Sequence, residues 1–242
     1  MSKELKFGAV TREPDIRLAG DMKEVIQDKE WLEENEDTEL YYMYRGLWRE
    51  GDEKKIKSAG LRYDITVIPP LKMGCEYVKT KGHYHPEAAP GVTYPEIYEV
   101  LEGEAHYLLQ KLSSQETKVE DVVLIQAEAG DKALIPPNYG HVTINPSEET
   151  LKMANWVDRS FESTYKSIVE LGGGAYFEKV GGGLVKNENY EKVPEIRYLP
   201  TTNLPELGII SGENMYDLIQ EPEKLDFLNN PQNHQSVFEK VL

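Results

Sequence analysis

From about residue 39 to residue 158, the sequence is a succession of short β-rich segments separated by turn-forming residues. Aromatic and β-branched residues dominate segments such as "LYYMYRGLWRE", "LRYDITVIPP" and "EIYEVLEGEAHYLLQKL". Turn signals separate these segments at Glu102-Gly103, Ser113-Ser114, Ala129-Gly130-Asp131 and Asn145-Pro146. Many short strands with closely spaced turns are typical of an antiparallel sandwich or barrel. The pattern therefore predicts a mainly β protein.

The two ends of the chain show a different pattern, which predicts short helices. Asp21 to Leu32 has apolar residues at helical spacing and is followed by the acidic stretch "EENEDTE". Between Ser211 and Leu228, apolar residues flank Glu221-Pro222, which predicts two short helices. We therefore predict a helical N-terminal extension at residues 1–38, a β-barrel domain at 39–180, and a C-terminal extension at 181–242 that packs on the barrel.

Charge and cysteine content restrict the partners of this chain. Acidic residues number 43 and basic residues 27, which gives a formal net charge of −16. Because no basic cluster offsets that charge, we expect neither nucleic acid nor an anionic membrane as a partner. Cys75 is the only cysteine, so no intramolecular disulfide and no cysteine-rich zinc site can form. The sequence lacks a signal-peptide pattern and a long apolar run, and we expect a cytoplasmic protein.

Two histidines lie two positions apart in the segment "TKGHYHP". On a strand, His83 and His85 would point to the same face, about 7 Å apart along the chain, where both imidazoles can reach one metal ion. The alternative is a pair of half-exposed polar histidines without a ligand. His106, in the next β-rich segment, could face the same cavity, but isolated histidines are more often structural.

Three glutamates in the following segment are candidates to join the two histidines. Glu96 shares one face of the predicted strand with Tyr98, whereas Glu99 lies on the opposite face, and Glu102 lies at the closing turn. A metal site with an otherwise apolar interior suits the Glu96 face. The alternation alone does not say which face is inside.

Two motifs in this region resemble the conserved motifs of the cupin superfamily. The first, G-x5-H-x-H-x3,4-E-x6-G, is matched by His83, His85, Glu96 and Gly103. The second, G-x5-P-x-G-x2-H-x3-N, is matched by Gly130, Pro136, His141 and Asn145. This chain departs from the motifs in three places: Tyr77 replaces the first glycine, ten residues separate His85 from Glu96, and Asn138 replaces a glycine.

The cupin resemblance implies a fold and a metal site. The fold would be a double-stranded β-helix, the cupin jelly-roll barrel, with short helical extensions at both ends. The E-x6-G spacing of the first motif selects Glu96 over its neighbours. The implied metal ligands are His83, His85, Glu96 and His141. Such a shell suits one divalent transition metal per subunit, with Fe²⁺ favoured and Mn²⁺, Ni²⁺ or Zn²⁺ as alternatives.

A narrower resemblance is to the cupin-type, archaeal-style glucose-6-phosphate isomerases. It is carried by "TKGHYHP", "EIYEVLEGEAHYLLQ" and "IPPNYGHVTINPSEE", and it covers roughly Thr66 to Tyr165. It implies an aldose–ketose isomerisation of glucose 6-phosphate to fructose 6-phosphate, a step of glycolysis and gluconeogenesis. Cupin sheets usually bury apolar faces between subunits, and together with the aromatic segment "LYYMY" this favours a homodimer.

The same resemblance implies roles for individual residues. Thr66, Thr80 and Gly82 would hold the phosphate, and Lys79 or Lys81 could add positive charge. Glu96 and Tyr98 would be catalytic, and Tyr98 and Tyr165 would hydrogen-bond sugar hydroxyls. A further family tyrosine is replaced here by Trp156 or Val157.

Two other functions fit the same motifs. One is a different metal cupin enzyme, either a mannose-6-phosphate isomerase or a dioxygenase, because cupins catalyse many unrelated reactions. The other is a non-catalytic sugar-binding cupin, which would bind its ligand without turnover.

Overall fold

The computed structural model describes residues 3–242, and two antiparallel sheets dominate it. The strands are β1 Leu5–Phe7, β2 Val10–Arg12, β3 Asp15–Leu18, β4 Glu39–Tyr44, β5 Leu61–Ile68, β6 Lys72–Met73, β7 Glu76–Tyr77, β8 Glu87–Ala89, β9 Val92–Thr93, β10 Glu96–Glu102, β11 Glu104–Leu112, β12 Val119–Glu128, β13 Lys132–Ile135, β14 Gly140–Ile144, β15 Leu151–Asp158, β16 Tyr176–Glu178, β17 Leu184–Lys186 and β18 Arg197–Leu199.

The helices are short. The α-helices are α1 Lys29–Asn35, α2 Glu53–Ser58, α3 Lys166–Glu170, α4 Asp226–Asn229 and α5 Gln235–Glu239. Short 3-10 helices cover Gly20–Met22, Pro205–Leu207, Met215–Gln220, Pro222–Leu225 and Pro231–Asn233. Within residues 3–242, none of these helices is long and apolar enough to cross a bilayer.

The strand order is that of a double-stranded β-helix. One sheet has the order β13-β10-β15-β5-β4-β3 and the other has the order β14-β11-β12-β18. The successive strands β10 to β15 are therefore distributed over both sheets, and all pairs are antiparallel except β12 with β18. Apolar residues of both sheets, including Val100, Leu109, Val123, Ile135 and Met153, form the core between them. The predicted mainly β, cupin-type fold is confirmed.

The register of the six-stranded sheet determines which side chains face that interior. Tyr98 lies opposite Asn155, and Asn155 lies opposite Asp64. Two residues further along, Thr66 lies opposite Met43 of β4. Because side chains two positions apart share a face, these strands present one continuous inner wall. Glu96 belongs to this wall, since it lies two residues before Tyr98.

The N-terminal helix is not where the apolar spacing predicted it. We expected a helix over Asp21–Leu32, but α1 spans Lys29–Asn35 and only a 3-10 turn forms at Gly20–Met22. The Asp28 side chain accepts a hydrogen bond of 3.0 Å from the amide of Trp31, and this N-cap sets the start of α1. The apolar residues before the cap are still buried, so their spacing indicated burial in turns instead of one continuous helix.

The two short helices predicted around Glu221-Pro222 are present. Met215–Gln220 is a 3-10 helix, and Pro222–Leu225 leads directly into α4. They pack on the outer face of the six-stranded sheet, where Trp156 donates a hydrogen bond of 3.0 Å to the Met215 carbonyl. The C-terminal extension therefore covers this face of the barrel.

Each extension also contributes a strand to the barrel sheets. β3 pairs with β4 at one edge of the six-stranded sheet, and β18 pairs in parallel with β12. The N-terminal extension is thus partly β-structure, because an edge strand of the barrel can pair with a preceding segment of the chain. The domain boundaries near residues 38 and 180 stay a prediction.

Candidate active site

Four side chains from three parts of the barrel converge between the two sheets. His83 and His141 belong to adjacent segments, joined by backbone hydrogen bonds of 3.2 and 3.0 Å in the two directions. His85 follows two residues after His83, and Glu96 begins β10. The nitrogen and oxygen atoms that these four residues offer all lie within 4.8 Å of one another. The four residues that the motifs selected as ligands are therefore brought together.

The protonation states of this cluster suit metal binding. Burial lowers the pKa of His141 to about 4 and holds the pKa of His83 well below its ordinary value. Burial opposes the ionisation of Glu96, but the His85 and His141 imidazoles beside it lower its pKa overall. Neutral imidazoles and an ionised carboxylate are the forms in which these side chains bind metals.

The hydrogen bonds of His85 leave a lone pair directed at the cluster. His85 Nδ1 lies 2.9 Å from the carbonyl oxygen of Tyr94 and must donate its proton to it. In the neutral ring, Nε2 then has no proton, although it lies 3.3 Å from Glu96 Oε2 and 3.2 Å from His83 Nε2. A carbonyl that fixes the histidine tautomer in this way is typical of metal ligands.

The donor set fits a divalent transition metal. Glu96 Oε2 is buried and has no hydrogen-bond partner, although imidazole nitrogens surround it. An unpaired buried carboxylate oxygen is costly, and a cation bound among the four side chains would satisfy it. Three nitrogens and one oxygen suit iron, manganese, nickel or zinc, and four protein ligands leave coordination positions open in an octahedral shell.

A cavity extends from this cluster along the inner wall of the six-stranded sheet. All five residues to which the family resemblance assigned substrate contacts line it: Thr66, Thr80, Gly82, Tyr98 and Tyr165. The Tyr98 hydroxyl lies 3.1 Å from His141 Nε2, and the Tyr165 ring lies 5.8 Å from the ring of His83. Of the two replacements for the family tyrosine, Val157 lines the cavity and Trp156 faces the outer core.

Gly82 is required here by its backbone and by packing. Its φ of +79° lies in the left-handed region, and a Cβ atom would approach Val142 Cγ2 to 2.7 Å. The family resemblance implied only that Gly82 helps to hold the phosphate. The structure adds a steric reason that holds without any ligand.

The ten residues between His85 and Glu96 form a hairpin beside the site. The strands of this hairpin are β8 and β9, and Tyr94 follows them. Tyr94 stacks on Phe161 at 4.8 Å between ring centroids, and Phe161 contacts the His85 ring at 4.7 Å. The long insertion therefore packs against Phe161, which lines the cavity, and it does not move Glu96 away from the histidines.

The lysines named from the sequence do not offer free charge to the cavity. The Lys79 ammonium pairs with the buried carboxylate of Glu76 and lies 4.6 Å from the centroid of the Phe177 ring. Lys81 lines the cavity, but its ammonium group lies 3.3 Å from a Glu24 carboxylate oxygen. Both charges are paired within the protein.

Three charged residues of the cavity wall have no motif in the sequence. Arg45, Arg62 and Asp64 all line the cavity, and Asp64 is only 3% exposed. Asp64 accepts hydrogen bonds of 2.8 Å from Arg62 Nε and from the amide of Gly46, and burial raises its pKa. In the sequence, only its position indicated that Asp64 could face the cavity, since it lies two residues before Thr66 and so shares the same face of the strand.

The rival carboxylates and His106 lie away from the cavity. Glu99 faces the C-terminal extension, with 3.1 Å to Lys132 Nζ and a hydrogen bond of 2.9 Å from the Met215 amide. Glu102 lies at the surface, and His106 binds Glu178 at 2.9 Å. The assignment of the Glu96 face to the interior is therefore correct.

Comparison with known proteins gives the family. A sequence model described as "Glucose-6-phosphate isomerase (GPI)" matches residues 16–195, about three quarters of the chain. The chain belongs to the glucose-6-phosphate isomerase family. The matched range includes all four cluster residues and, apart from β18 and the first residue of β3, the strands of both barrel sheets, so the family expected from the motifs is confirmed.

Two archaeal members illustrate the degree of similarity. The glucose-6-phosphate isomerase of Thermococcus litoralis is 28% identical over 177 residues, 72% of this chain and 85% of that protein. The enzyme of Thermococcus gammatolerans is 31% identical over 176 residues, 71% of this chain and 82% of that protein. Among solved structures, an oxalate decarboxylase of Lactobacillus farciminis aligns with a TM-score of 0.37 and 20% identity over 51% of this chain and 30% of its own.

Proposed function

We propose that this member of the glucose-6-phosphate isomerase family is a metal-dependent enzyme that interconverts glucose 6-phosphate and fructose 6-phosphate in glycolysis and gluconeogenesis. The observation that carries the proposal is that three imidazoles and one carboxylate meet in a cavity that is also lined with hydroxyl groups. His83, His85, Glu96 and His141 would hold one divalent metal ion, with Fe²⁺ favoured over Mn²⁺, Ni²⁺ and Zn²⁺.

The isomerisation moves a hydrogen between C1 and C2, so the site needs a means of transferring it. A bound divalent ion would polarise the oxygens on C1 and C2. Glu96 is buried and ionised beside that position, so it can accept the proton from one carbon and return it to the other. If hydride instead moves directly between C1 and C2, Glu96 serves only as a ligand.

The remaining cavity residues would orient the sugar phosphate. Tyr98, 3.1 Å from His141 Nε2, can hydrogen-bond a sugar oxygen next to the cluster. Tyr165 would contact a further hydroxyl, since its ring lies beside that of His83. Thr66, Thr80 and the backbone of Gly82 would bind the phosphate. Fixing the open-chain sugar between these groups lowers the entropy cost of reaching the reactive geometry.

Removal of the metal is expected to abolish the interconversion of glucose 6-phosphate and fructose 6-phosphate. Protein dialysed against EDTA should regain activity on addition of a divalent transition metal, with Fe²⁺ the most effective. The measurement is a coupled assay in both directions together with the metal content of the reloaded protein. Failure of every metal to restore turnover would contradict the proposed function.

The same reloaded protein separates the rival functions. Against mannose 6-phosphate, we expect kcat/KM to be lower than for glucose 6-phosphate by about tenfold or more, because the two differ at the reacting C2 centre. The reverse preference would indicate a mannose-6-phosphate isomerase. Oxygen consumption would indicate a dioxygenase, and saturable sugar-phosphate binding without turnover would indicate a binding protein.

We also propose that the protein acts in the cytoplasm as a homodimer. The aromatic strand β4, which suggested this assembly, lies between β3 and β5, and its Leu40 and Tyr41 are buried within the chain. Exposed apolar side chains elsewhere, such as Tyr198 (64% exposed), are better candidates for a subunit contact.

The assembly is tested by light scattering coupled to gel filtration. We expect a mass of twice 27.6 kDa, the mass of one chain. Because apolar contacts are less sensitive to salt than ionic ones, the dimer should persist when the salt concentration is raised. A mass of 27.6 kDa over the whole concentration range would contradict the dimer.

A further inference from the structure

A guanidinium group beside the cavity lacks a partner for its charge. Arg17 on β3 lies directly opposite Tyr41 on β4, and its guanidinium carbon is 5.9 Å from the centroid of the Tyr41 ring. Arg17 Nε is buried and has no hydrogen-bond partner. Within residues 3–242, no carboxylate lies within ion-pair distance of this group. Among carboxylates, Asp21 has the clearest electrostatic effect on Arg17. Its side chain accepts a hydrogen bond from the Leu18 amide and does not pair with the guanidinium.

The other cations of this region are all neutralised inside the protein. Arg62 pairs with Asp64 at 2.8 Å, Arg45 pairs with Asp15 at 3.1 Å, and Lys81 pairs with Glu24 at 3.3 Å. A guanidinium remains protonated at any physiological pH. Because partial burial of an unpaired charge is unfavourable, Arg17 is in the state expected of a residue that receives an anion from outside the chain.

The surroundings of Arg17 place that anion in the cavity. The Tyr41 hydroxyl lies 3.2 Å from the amide nitrogen of Lys81, between Thr80 and Gly82. Tyr41 itself lines the cavity, and the Tyr165 hydroxyl is among the groups that act electrostatically on Arg17. Arg17 itself does not line the cavity, but it lies over the ring of Tyr41, which does, next to the groups proposed to bind phosphate.

We propose that Arg17 is a substrate-binding residue that donates hydrogen bonds to the phosphate group of the sugar phosphate. The inference rests on the proposed function and adds the cation that its phosphate site requires. A planar guanidinium can donate two parallel hydrogen bonds to phosphate oxygens, which hydroxyls and a backbone amide cannot replace. In a chain with a net charge of −16, one unpaired cation also gives a dianion a local attraction.

The variant Arg17→Gln tests this role in the metal-loaded enzyme. We expect inorganic phosphate to bind about ten- to a hundredfold more weakly, both as a competitive inhibitor and in calorimetry. KM for glucose 6-phosphate should rise by a similar factor while kcat changes little, since the phosphate is remote from the reacting carbons. Folded Arg17→Gln with wild-type affinity for phosphate would overturn the proposal.

A matched control removes the same charge elsewhere. Arg197 pairs with Asp121 at 2.6 Å on β12, outside the cavity. Arg197→Gln should leave phosphate binding and KM unchanged, which separates the contact made by Arg17 from the general effect of a more negative protein. An equal loss of phosphate affinity in both variants would count against a specific contact.

A measurement on the wild-type enzyme covers the case in which Arg17→Gln does not fold. Inorganic phosphate should slow the modification of Arg17 by phenylglyoxal, mapped by peptide mass spectrometry, and should leave Arg197 unaffected. Equal labelling of Arg17 with and without phosphate would overturn the proposal.

Phosphate binding that depends on Arg17 in a protein without isomerase activity would refute the proposed function and support this inference. An active isomerase with unchanged KM in Arg17→Gln would refute this inference alone.

Discussion

Replacing Glu96 with glutamine is expected to lower kcat by about a hundred- to ten-thousandfold, the range in which a positioned acid–base group contributes. Glutamine has nearly the same shape but carries no charge, so it can neither accept a proton from the sugar nor neutralise a bound cation. The measurement is kcat for glucose 6-phosphate together with the metal content of the purified variant. Lost activity with metal retained would show that Glu96 acts as the base.

Glu99→Gln is the matched control for this variant. Turnover per folded molecule is expected to be nearly unchanged in this variant, because Glu99 lies away from the cavity. The structure adds a cost in stability, because Glu99 is buried against Lys132 and Met215 on the outer face of the sheet. An inactive Glu99→Gln protein beside an active Glu96→Gln protein would show that the wrong carboxylate was assigned.

Lys132→Met is expected to lower the free energy of unfolding by about 3–5 kcal/mol, the usual cost of breaking a buried ion pair by removing one partner. Lys132 is 1% exposed, and its ammonium donates to the carbonyls of Gly130 and Glu213 and lies 3.1 Å from Glu99 Oε1. It therefore links the barrel to the C-terminal extension. Urea denaturation followed by circular dichroism measures the change.

The pH dependence of this loss identifies its cause. Burial raises the pKa of Glu99 in the folded protein, and removal of Lys132 would raise that pKa further. The folded variant then binds more protons than the unfolded chain, so its stability falls as the pH rises through the folded-state pKa of Glu99. The deficit relative to the wild type should therefore shrink when the pH is lowered below that pKa. A deficit independent of pH would attribute the effect to packing alone.

An exposed ion pair provides the comparison for Lys132. Lys152 pairs with Glu102 at 3.0 Å at the surface. Lys152→Met should change the unfolding free energy by less than about 1 kcal/mol, as is usual for solvent-exposed pairs. A large loss in this variant would indicate that the effect of Lys132→Met does not depend on burial.

The sequence predicted those parts of the site that depend on neighbouring residues along the chain. Alternation within one strand separates Glu96 from Glu99, and the motif spacing connects His141 to the His83–His85 pair. Turn residues also act locally, as at Gly103, where φ is +78° and a Cβ atom would approach the Thr150 carbonyl oxygen to 2.6 Å. A chain can encode such features in short patterns because their geometry repeats wherever the pattern occurs.

Features that depend on the pairing of distant strands could not be predicted in this way. Arg17 lies beside Tyr41 of the cavity wall only because β3 pairs with β4, and Asp64 lines the cavity through the register of β5 with β15. The helix expected at Asp21–Leu32 was displaced for a related reason. Its apolar residues are buried by the barrel without needing a continuous helix, and the N-cap at Asp28 set the start of α1.

The sequence by itself indicated the β architecture through alternation and turns, and its resemblance to the cupin motifs implied the family and the four side chains of the candidate metal centre. Only the tertiary structure decided which charges near the cavity are neutralised and which is not. Lys79 and Lys81 are paired by Glu76 and Glu24, whereas Arg17 has no such partner within residues 3–242. The pairing of a charge depends on which side chains the fold places within a few ångströms of it, and no local pattern records that distance.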